Sequence, residues 1–431
     1  MTLATPLLLL LALLRTPLFV VIGLSAMLGF YSQEVPLSVI SIEVYRLAEM
    51  PVLLAIPLFT FAGYLLGEGK ASKRLVDVTN CLLGWVPGGL AIVAIFACAL
   101  FTAFTGASGI TIVALGGLLY PALKQAGYLE RFNLGLLTSS GSLGLLFAPS
   151  LPLILYGVVA QQMDLDQAVS ITDLFLAGIL PGVLMLTMLA AYSMLQPRDR
   201  SLREPFDAQK ALAAIYAAKW DIPLPFLVLG GIYGGFFAVS EAAAVTAIYV
   251  LVVEMLIIRD IRFSELPRIM REAMTLVGGI MIIVGVSLAS TNYLIDAEVP
   301  TRMFEFIQSH IDEKLTFLIL LNLFLLALGM MLDIFSAIVL IVPIILPIAV
   351  GYGVHPVHLG IIFLANMQLG YFTPPVGMNL FIASYRFNKP VMTLYLATIP
   401  FFVVLLIAVL IITYWPTLSL AFLDTALDTA D

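Results

Sequence analysis

The stretch GIIFLANMQLGYFTPPVGMNL, Gly360–Leu380, decides how the rest of the chain is read. Its ends are as apolar as a membrane helix, while its middle carries Asn366, Gln368, Gly370, Thr373, Pro374, Pro375, Gly377 and Asn379. Adjacent prolines remove backbone donors and clash with the preceding turn. Carbonyls freed in hydrocarbon must be buried in protein or face a polar cavity. The pattern predicts a helix broken at mid-membrane, its carbonyl and side-chain oxygens available to a cation or polar solute. A proline-kinked helix, or a short loop outside the bilayer, is the alternative.

Composition supports a membrane setting. Of 431 residues, 61% are hydrophobic and 11% charged, where a soluble domain has roughly 25% charged. Mean hydropathy is +1.09. Apolar runs of about 20 residues, the length a helix needs to span, recur along the chain. The alternating segments of a β-barrel are absent, so the fold class is an all-α polytopic membrane protein. The net charge of −7 comes with no basic stripe, which argues against nucleic acid as a partner. Cys81, Cys98, His310, His355 and His358 match no metal spacing, and no cofactor motif appears. His355-x-x-His358 reads as a helix start around Pro356 before it reads as a ligand pair. The apolar N-terminus lacks a basic n-region and resumes after Arg15-Thr16-Pro17, so it reads as a retained membrane segment broken there.

Working outward from the break, residues 51–66 are apolar, and 68–83 set Lys70, Lys73, Arg74 and Asp77 against Leu75, Val76, Leu82 and Leu83. That is the pattern of a helix lying along the interface. Residues 88–123 are apolar around a small, polar centre at Thr102, Thr105-Gly106-Ala107-Ser108-Gly109 and Thr111. Each arm falls short of a full span, which suits a re-entrant hairpin; one kinked helix is the alternative. A second interruption falls at Thr138–Gly141 and Ala148–Pro152. Basic loops at 196–220 (Arg198, Arg200, Arg203, Lys210, Lys219) and 259–272 (Arg259, Arg262, Arg268, Arg271) mark the cytoplasmic side, so the 221–258 segment crosses an even number of times.

From 273 the order starts again: a span, an amphipathic stretch at 299–313, a long apolar run at 315–350 centred on Asp333, then the 360–380 break. Pro121 is followed by Gly127, Gly135 and Gly144 at six, fourteen and twenty-three residues; Pro347 is followed by Gly353, Gly360 and Gly370 at six, thirteen and twenty-three. Paired interrupted segments in two halves point to a transporter site between them. The spans do not settle whether the halves are inverted.

The segments LFTAFTGASGITIVALGGLLYPALKQAGY (100–128), SSGSLGLLFAPSLPLILYGVVA (139–160), GGIYGGFFAVSEAAAV (230–245), GMMLDIFSAIVLIVPIILPI (329–348) and GYFTPPVGMNLF (370–381) together resemble the large membrane subunit of the tripartite ATP-independent periplasmic (TRAP) transporters, over nearly the whole chain. The resemblance implies two inverted repeats with re-entrant hairpins and broken helices, working as an elevator in the bacterial inner membrane. It implies sodium-driven uptake of a small solute, usually a carboxylate. The partners would be a periplasmic solute-binding protein and a small four-helix membrane subunit, here expected as a separate chain. The parts would then be residues 1–84, scaffold and first arm; 85–160, first hairpin and broken helix; 161–313, scaffold, basic loops and second arm; 314–386, second hairpin and broken helix; and 387–431, a final span and tail.

By the same resemblance, sodium would sit at Thr105, Gly144, Ala148, Pro149 and Leu151 in the first half and at Gly329, Gly370, Thr373 and Val376 in the second. Solute would meet Thr105, Gly106, Ser108, Ser140, Asn366, Pro374, Pro375 and Asn379. The first hairpin departs from the family pattern: Thr105-Gly106-Ala107-Ser108 stands where many members have Ser-Gly-Ser-Ala, and Thr111 follows where they carry an Asp. Thr still supplies an oxygen, but the missing carboxylate leaves solute identity open. Asp333 and Glu241 are expected as helix caps, and Asn366, Gln368 and Asn379 either touch solute or tie the broken backbone.

Other classes fit less well. Ser139, Ser140 and Ser142 have no histidine or lysine nearby, so the chain is not expected to be an enzyme. A GxxxxGK[ST] loop is absent. Broken helices also build channel filters, although twofold repetition suits alternating access. The closest competitor is a sodium–dicarboxylate carrier that works without a binding protein.

Overall fold

The computed structural model describes residue 11 and residues 16–86, 88–163, 167–196 and 207–423, and among them every regular element is helical. The N-terminal break at Arg15 and the basic residues Arg198, Arg200 and Arg203 lie outside the described residues. In order the helices are α1 (Leu18–Ser32), α2 (Ser38–Arg46), α3 (Ala55–Glu68), α4 (Ala71–Leu83), α5 (Gly89–Thr105), α6 (Ser108–Gln125), α7 (Glu130–Ser140), α8 (Leu151–Gln161), α9 (Ile171–Met194) and α10 (Ala208–Ala217). They continue with α11 (Pro223–Tyr233), α12 (Val239–Val252, extended by a π turn to Ile257), α13 (Leu266–Asp296), α14 (Val299–Gln308), α15 (Lys314–Met331), α16 (Ile334–Gly351), α17 (Pro356–Gly370), α18 (Met378–Phe387) and α19 (Val391–Tyr414).

Seven of these segments are long and apolar enough to cross a membrane: Pro51–Glu68, Ile171–Met194, Val239–Ile257, Leu266–Asp296, Lys314–Met331, Ile334–Gly351 and Val391–Tyr414. The segments Glu130–Leu146 and Leu151–Gln161 pass the same test together but bend by 42° at their junction. Apolar faces of this extent bury outward into lipid as well as inward, which is why Phe226, Ile248, Leu323 and Val403 lie on the molecular surface. The chain is therefore a polytopic helical membrane protein.

Local chemistry places the breaks. α5 ends at Gly106, whose φ of +65° is the left-handed conformation glycine adopts without a Cβ penalty. α6 restarts two residues later, so α5 and α6 form the hairpin whose tip the sequence places at Thr105–Gly109. α16 starts on Asp333, whose Oδ1 accepts the Ser336 amide at 3.0 Å, and α8 starts on Ser150, whose Oγ accepts the Leu153 amide at 3.4 Å. Both are N-caps that satisfy amides a helix start leaves unpaired. Glu241 closes a turn in the same way, its Oε2 accepting the Ala238 amide at 2.9 Å.

The two broken helices hold the centre. Every residue of α17 is buried, as are residues 132–140 of α7 and 151–160 of α8. A helix buried all round belongs to the core of the bundle, and α9, α15 and α19 pack around α17. The sequence order recurs in the elements: α3, α4, α5–α6 and α7–α8 are followed in the second half by α13, α14, α15–α16 and α17–α18.

The 221–258 segment departs from two equal crossings. α11 has only 11 residues, about 16 Å of helix, while the stretch from α12 through its π turn has 19. The outward leg is thus a half-length helix completed by the Gly234–Ala238 loop, because Pro223 sets its start and Gly234-Gly235 its end. Asp221 and Asp260 nonetheless meet on one arginine, Arg74, so the chain returns to the face it left.

Candidate functional site

Each broken helix crosses a hairpin helix through a glycine. In the second half, a Cβ on Gly370 would strike the backbone of Gly329 in α15, and one on Gly329 would lie 3.1 Å from Gly370 Cα and 3.3 Å from the Met367 carbonyl oxygen. In the first half, a Cβ on Gly144 would strike the Ala99 carbonyl and lie 2.5 Å from the Ala103 amide of α5. The sequence equates Gly144 with Gly370, and the structure puts both at the same kind of crossing.

Around Gly370 the backbone opens. The Thr373 amide donates to the Gly370 carbonyl at 3.1 Å, and Thr373 Oγ1 donates to the Leu369 carbonyl at 2.6 Å. The Gly377 amide donates to the Met330 carbonyl at 3.1 Å, joining the loop to the end of α15. The last carbonyls of α15, Gly329 among them, lie beyond the reach of its own amides. Gly329, Gly370 and Thr373 are thus brought together. Val376 lies on the rim, 43% exposed, and Pro374 and Pro375 are exposed beside it. The Tyr371 hydroxyl accepts the Ile334 amide at 2.6 Å and ties the hairpin tip to the broken helix.

The first-half counterpart is closed. Thr105 and Ser150 are fully buried. A Cβ on Gly106 would lie 2.5–3.2 Å from the Leu151 side chain, so the hairpin tip rests directly on the Ala148–Leu151 turn with Pro149 inside it. Gly63 of α3 backs this tip, its Cβ position 2.6 Å from Thr105 Cα. Thr102 Oγ1 lies 2.6 Å from Thr111 Oγ1 and donates to the Gly141 carbonyl at 2.8 Å, so a buried threonine pair stitches the hairpin to α7.

The proposed solute residues divide into two groups. Ser108 Oγ donates to Asn379 Oδ1 at 2.7 Å, and Asn379 Nδ2 donates to the Thr138 carbonyl at 3.4 Å, which joins the first hairpin to α18 and α7. Asn366 instead turns to α15 and α19: its Nδ2 donates to Asn322 Oδ1 at 2.7 Å, and Thr413 Oγ1 donates to the same oxygen at 3.1 Å. Asn366 therefore ties helices through this network, with only its Oδ1 left without a partner.

Ser140 Oγ and both polar atoms of the Gln368 side chain are buried without partners. In the sequence register Ser142 is the counterpart of Gln368, and Ser142 Oγ donates to the Gln368 carbonyl at 3.5 Å. The two broken helices therefore touch where unpaired polar atoms collect. Buried polar atoms of this kind cost free energy unless something pairs them. Asn322, Thr413 and Gly63 are contributors that no sequence pattern isolates, whereas Thr102 and Thr111 belong to the polar hairpin centre that the sequence marks. Among the described residues, no group of three or more His, Cys, Asp or Glu is placed to hold a metal ion. His355 caps α17 and His358 lies near the Thr413 carbonyl at 3.3 Å, so the pair is not a ligand set.

Residues 5–418 match the family described as the DctM component of the tripartite ATP-independent periplasmic transporter. The chain is 33% identical over 384 residues to the C4-dicarboxylate TRAP transporter large permease protein DctM of Pseudomonas aeruginosa, covering 89% of this chain and 88% of that one. It is 32% identical to the isethionate TRAP transporter permease protein DctMQ of Oleidesulfovibrio alaskensis, over 94% of this chain and 64% of that longer one. It is 28% identical to the ectoine large permease protein TeaC of Halomonas elongata, over 96% and 97%. Among solved structures, the Alcanivorax borkumensis YdaH transporter shares the fold, with a TM-score of 0.62 at 15% identity over 88% of this chain and 87% of that one. The chain belongs to the DctM family, the large permease subunits of TRAP transporters.

Proposed function

We propose that this subunit carries a small organic anion across the bacterial inner membrane, driven by sodium, as two inverted half-sites move together. The observation that carries the reading is the repeated glycine crossing: Gly144 on α5 and Gly370 on α15. Such close approach leaves room for no side chain and gathers backbone carbonyl oxygens, the hard ligands a sodium ion takes, without burying a formal negative charge.

Inversion has its own support. Arg74 holds α4 against Asp221 and Asp260, on the side of the basic loops. α13 leaves that side and runs 31 residues, about 46 Å, more than a hydrocarbon core of about 30 Å. α14 and the second hairpin then start from the opposite face. The second helix of the first hairpin starts at Ser108 with no acidic cap, a positive dipole end that favours an anion and to which bound sodium would add. Its counterpart at Ile334 is already capped by the Asp333 carboxylate.

Relatives named for C4-dicarboxylate, isethionate and ectoine support a small charged solute without naming this one. The family description supports a tripartite assembly, with a periplasmic binding protein and a small membrane subunit as partners. The test is uptake of radiolabelled C4-dicarboxylates, isethionate and ectoine into proteoliposomes holding this chain and its small partner, with binding protein outside. Accumulation under an inward sodium gradient, lost when potassium or choline replaces sodium, supports the reading. Accumulation unaffected by that replacement overturns sodium coupling. Accumulation without any binding protein assigns the chain to self-sufficient carriers.

A further inference from the structure

The sequence pattern places Arg74 with Lys70, Lys73 and Asp77 on the solvated face of the arm helix α4. The structure turns it inward. Its Nε donates to Asp221 Oδ2 at 2.5 Å and its Nη2 to Asp221 Oδ1 at 3.1 Å and Glu254 Oε1 at 2.7 Å, while Nη1 pairs with Asp260. Side-chain exposure is 12% for Arg74, 3% for Asp221, 0% for Glu254 and 10% for Asp260. Each carboxylate comes from a different segment: the turn before α11, the π turn after α12, and the loop that follows. Lys70 adds its own backbone amide to Asp260 Oδ2 at 3.3 Å. Gly69 completes the fit, because a Cβ there would strike the Glu254 carboxylate.

We propose that Arg74 is a positioning residue for transport, holding the arm α4 fixed on the scaffold while the hairpin α5–α6 moves against it. The proposal rests on the moving-hairpin reading above. Its electrostatic reason is that one guanidinium serves three carboxylates, so withdrawing the arm would strand buried charge, which is far costlier than breaking a surface pair. α5, GLAIVAIFACALFTAFT, contains no charged residue, so it meets α4 without an ion pair. Gly84 closes α4 and Gly88, at φ +79°, precedes α5, a conformation that favours glycine where the chain turns from arm to hairpin.

The second arm is built differently. On α14 the ion pair Glu298–Arg302 spans 3.9 Å within the helix, with side chains 70% and 74% exposed. Its packing goes to the hairpin: Phe304 lies edge-on to Tyr352, ring centroids 5.7 Å apart, and the Tyr352 hydroxyl donates to the Ile311 carbonyl at 2.6 Å. Among the described residues the second arm has no buried ion pair like that of Arg74.

Spin-label distances test this in the full chain, reconstituted in liposomes with its small partner, in a Cys81→Ser, Cys98→Ala background. One pair, Asp77→Cys with Arg271→Cys, reports arm against the scaffold helix α13, which packs on α1, α2 and α3; the other, Gln125→Cys with Arg271→Cys, reports hairpin against the same helix. Sodium chloride and choline chloride are the two conditions. The arm pair is expected to give one narrow distance in both salts while the hairpin pair shifts. Arg74→Gln should broaden the arm distance and make it follow the hairpin; Arg74→Lys should restore part of the wild-type width.

A wild-type arm distance that shifts together with the hairpin overturns the proposal. So does an Arg74→Gln protein, inserted and folded, with unchanged width and no coupling. If neither pair moves in either salt, the moving-hairpin reading itself fails and takes this role with it. Should Arg74→Gln fail to insert, Asp260→Asn removes one partner and is expected to broaden the arm distance less; no broadening there counts against the proposal.

Discussion

Replacing Gly370 with alanine is the sharpest single perturbation the geometry offers. The added methyl would sit 2.8 Å from the Gly329 carbonyl oxygen and closer still to the Gly329 backbone carbons. Neither partner is a side chain that can swing away, so α15 and α17 must separate. Overpacking of this kind costs about 1–3 kcal/mol, and two opposed backbones put it near the upper end. If these carbonyls hold sodium, the same displacement weakens binding by about tenfold or more, equal to about 1.4 kcal/mol. The assay is thermal unfolding in detergent with sodium or choline chloride. A ligand at about 100 times its Kd stabilises by about 2.7 kcal/mol, and tenfold weaker binding leaves about 1.4 kcal/mol. Gly370→Ala should therefore lower the sodium-dependent rise in Tm by about half. Gly230→Ala, where nothing lies within 4 Å of the added atom, should leave that rise intact. A full sodium-dependent rise in Gly370→Ala would refute the placement of the second-half site.

Other expectations follow from single contacts. Asn379→Ala strips the partner from the buried Ser108 hydroxyl and should destabilise by about 1–3 kcal/mol, read as a drop in Tm; Ser108→Ala should do less. Tyr371→Phe leaves the Ile334 amide without its acceptor, and the second hairpin should open, read as faster proteolysis near Met331. Asp333→Ala removes a cap and should cost about 1 kcal/mol while leaving the sodium-dependent rise in Tm unchanged; a lost rise would place Asp333 in the ion site.

Sequence made the breaks legible because they rest on local chemistry. Thr373-Pro374-Pro375 and Gly377 cannot continue a helix, Gly106 ends one, and Asp333 starts one; each signal lies within a few residues of its effect. Gly144 and Gly370 were found as a pair because spacing from Pro121 and Pro347 survives in one dimension. What each glycine touches did not. Gly63 beneath Thr105, Asn322 and Thr413 around Asn366, and Thr102 against Thr111 are meetings of helices, and periodicity carries no record of them. Arg74 shows the limit most plainly. Its spacing on α4 places it with solvated charges, yet its partners lie 147–186 residues away, and only packing turns it inward. The half-length α11 is similar: Gly234-Gly235 marks a turn in sequence, but not its depth.

Coupling between ion and solute is the central claim, and simultaneous fluxes test it most directly. Proteoliposomes holding this chain, its small partner and the binding protein would receive radioactive sodium and labelled solute together. Two half-sites, each with its own glycine crossing, predict that sodium enters only with solute, in a fixed ratio of about two or more per solute. Sodium entry that ignores solute, or solute entry that carries no sodium, would contradict it.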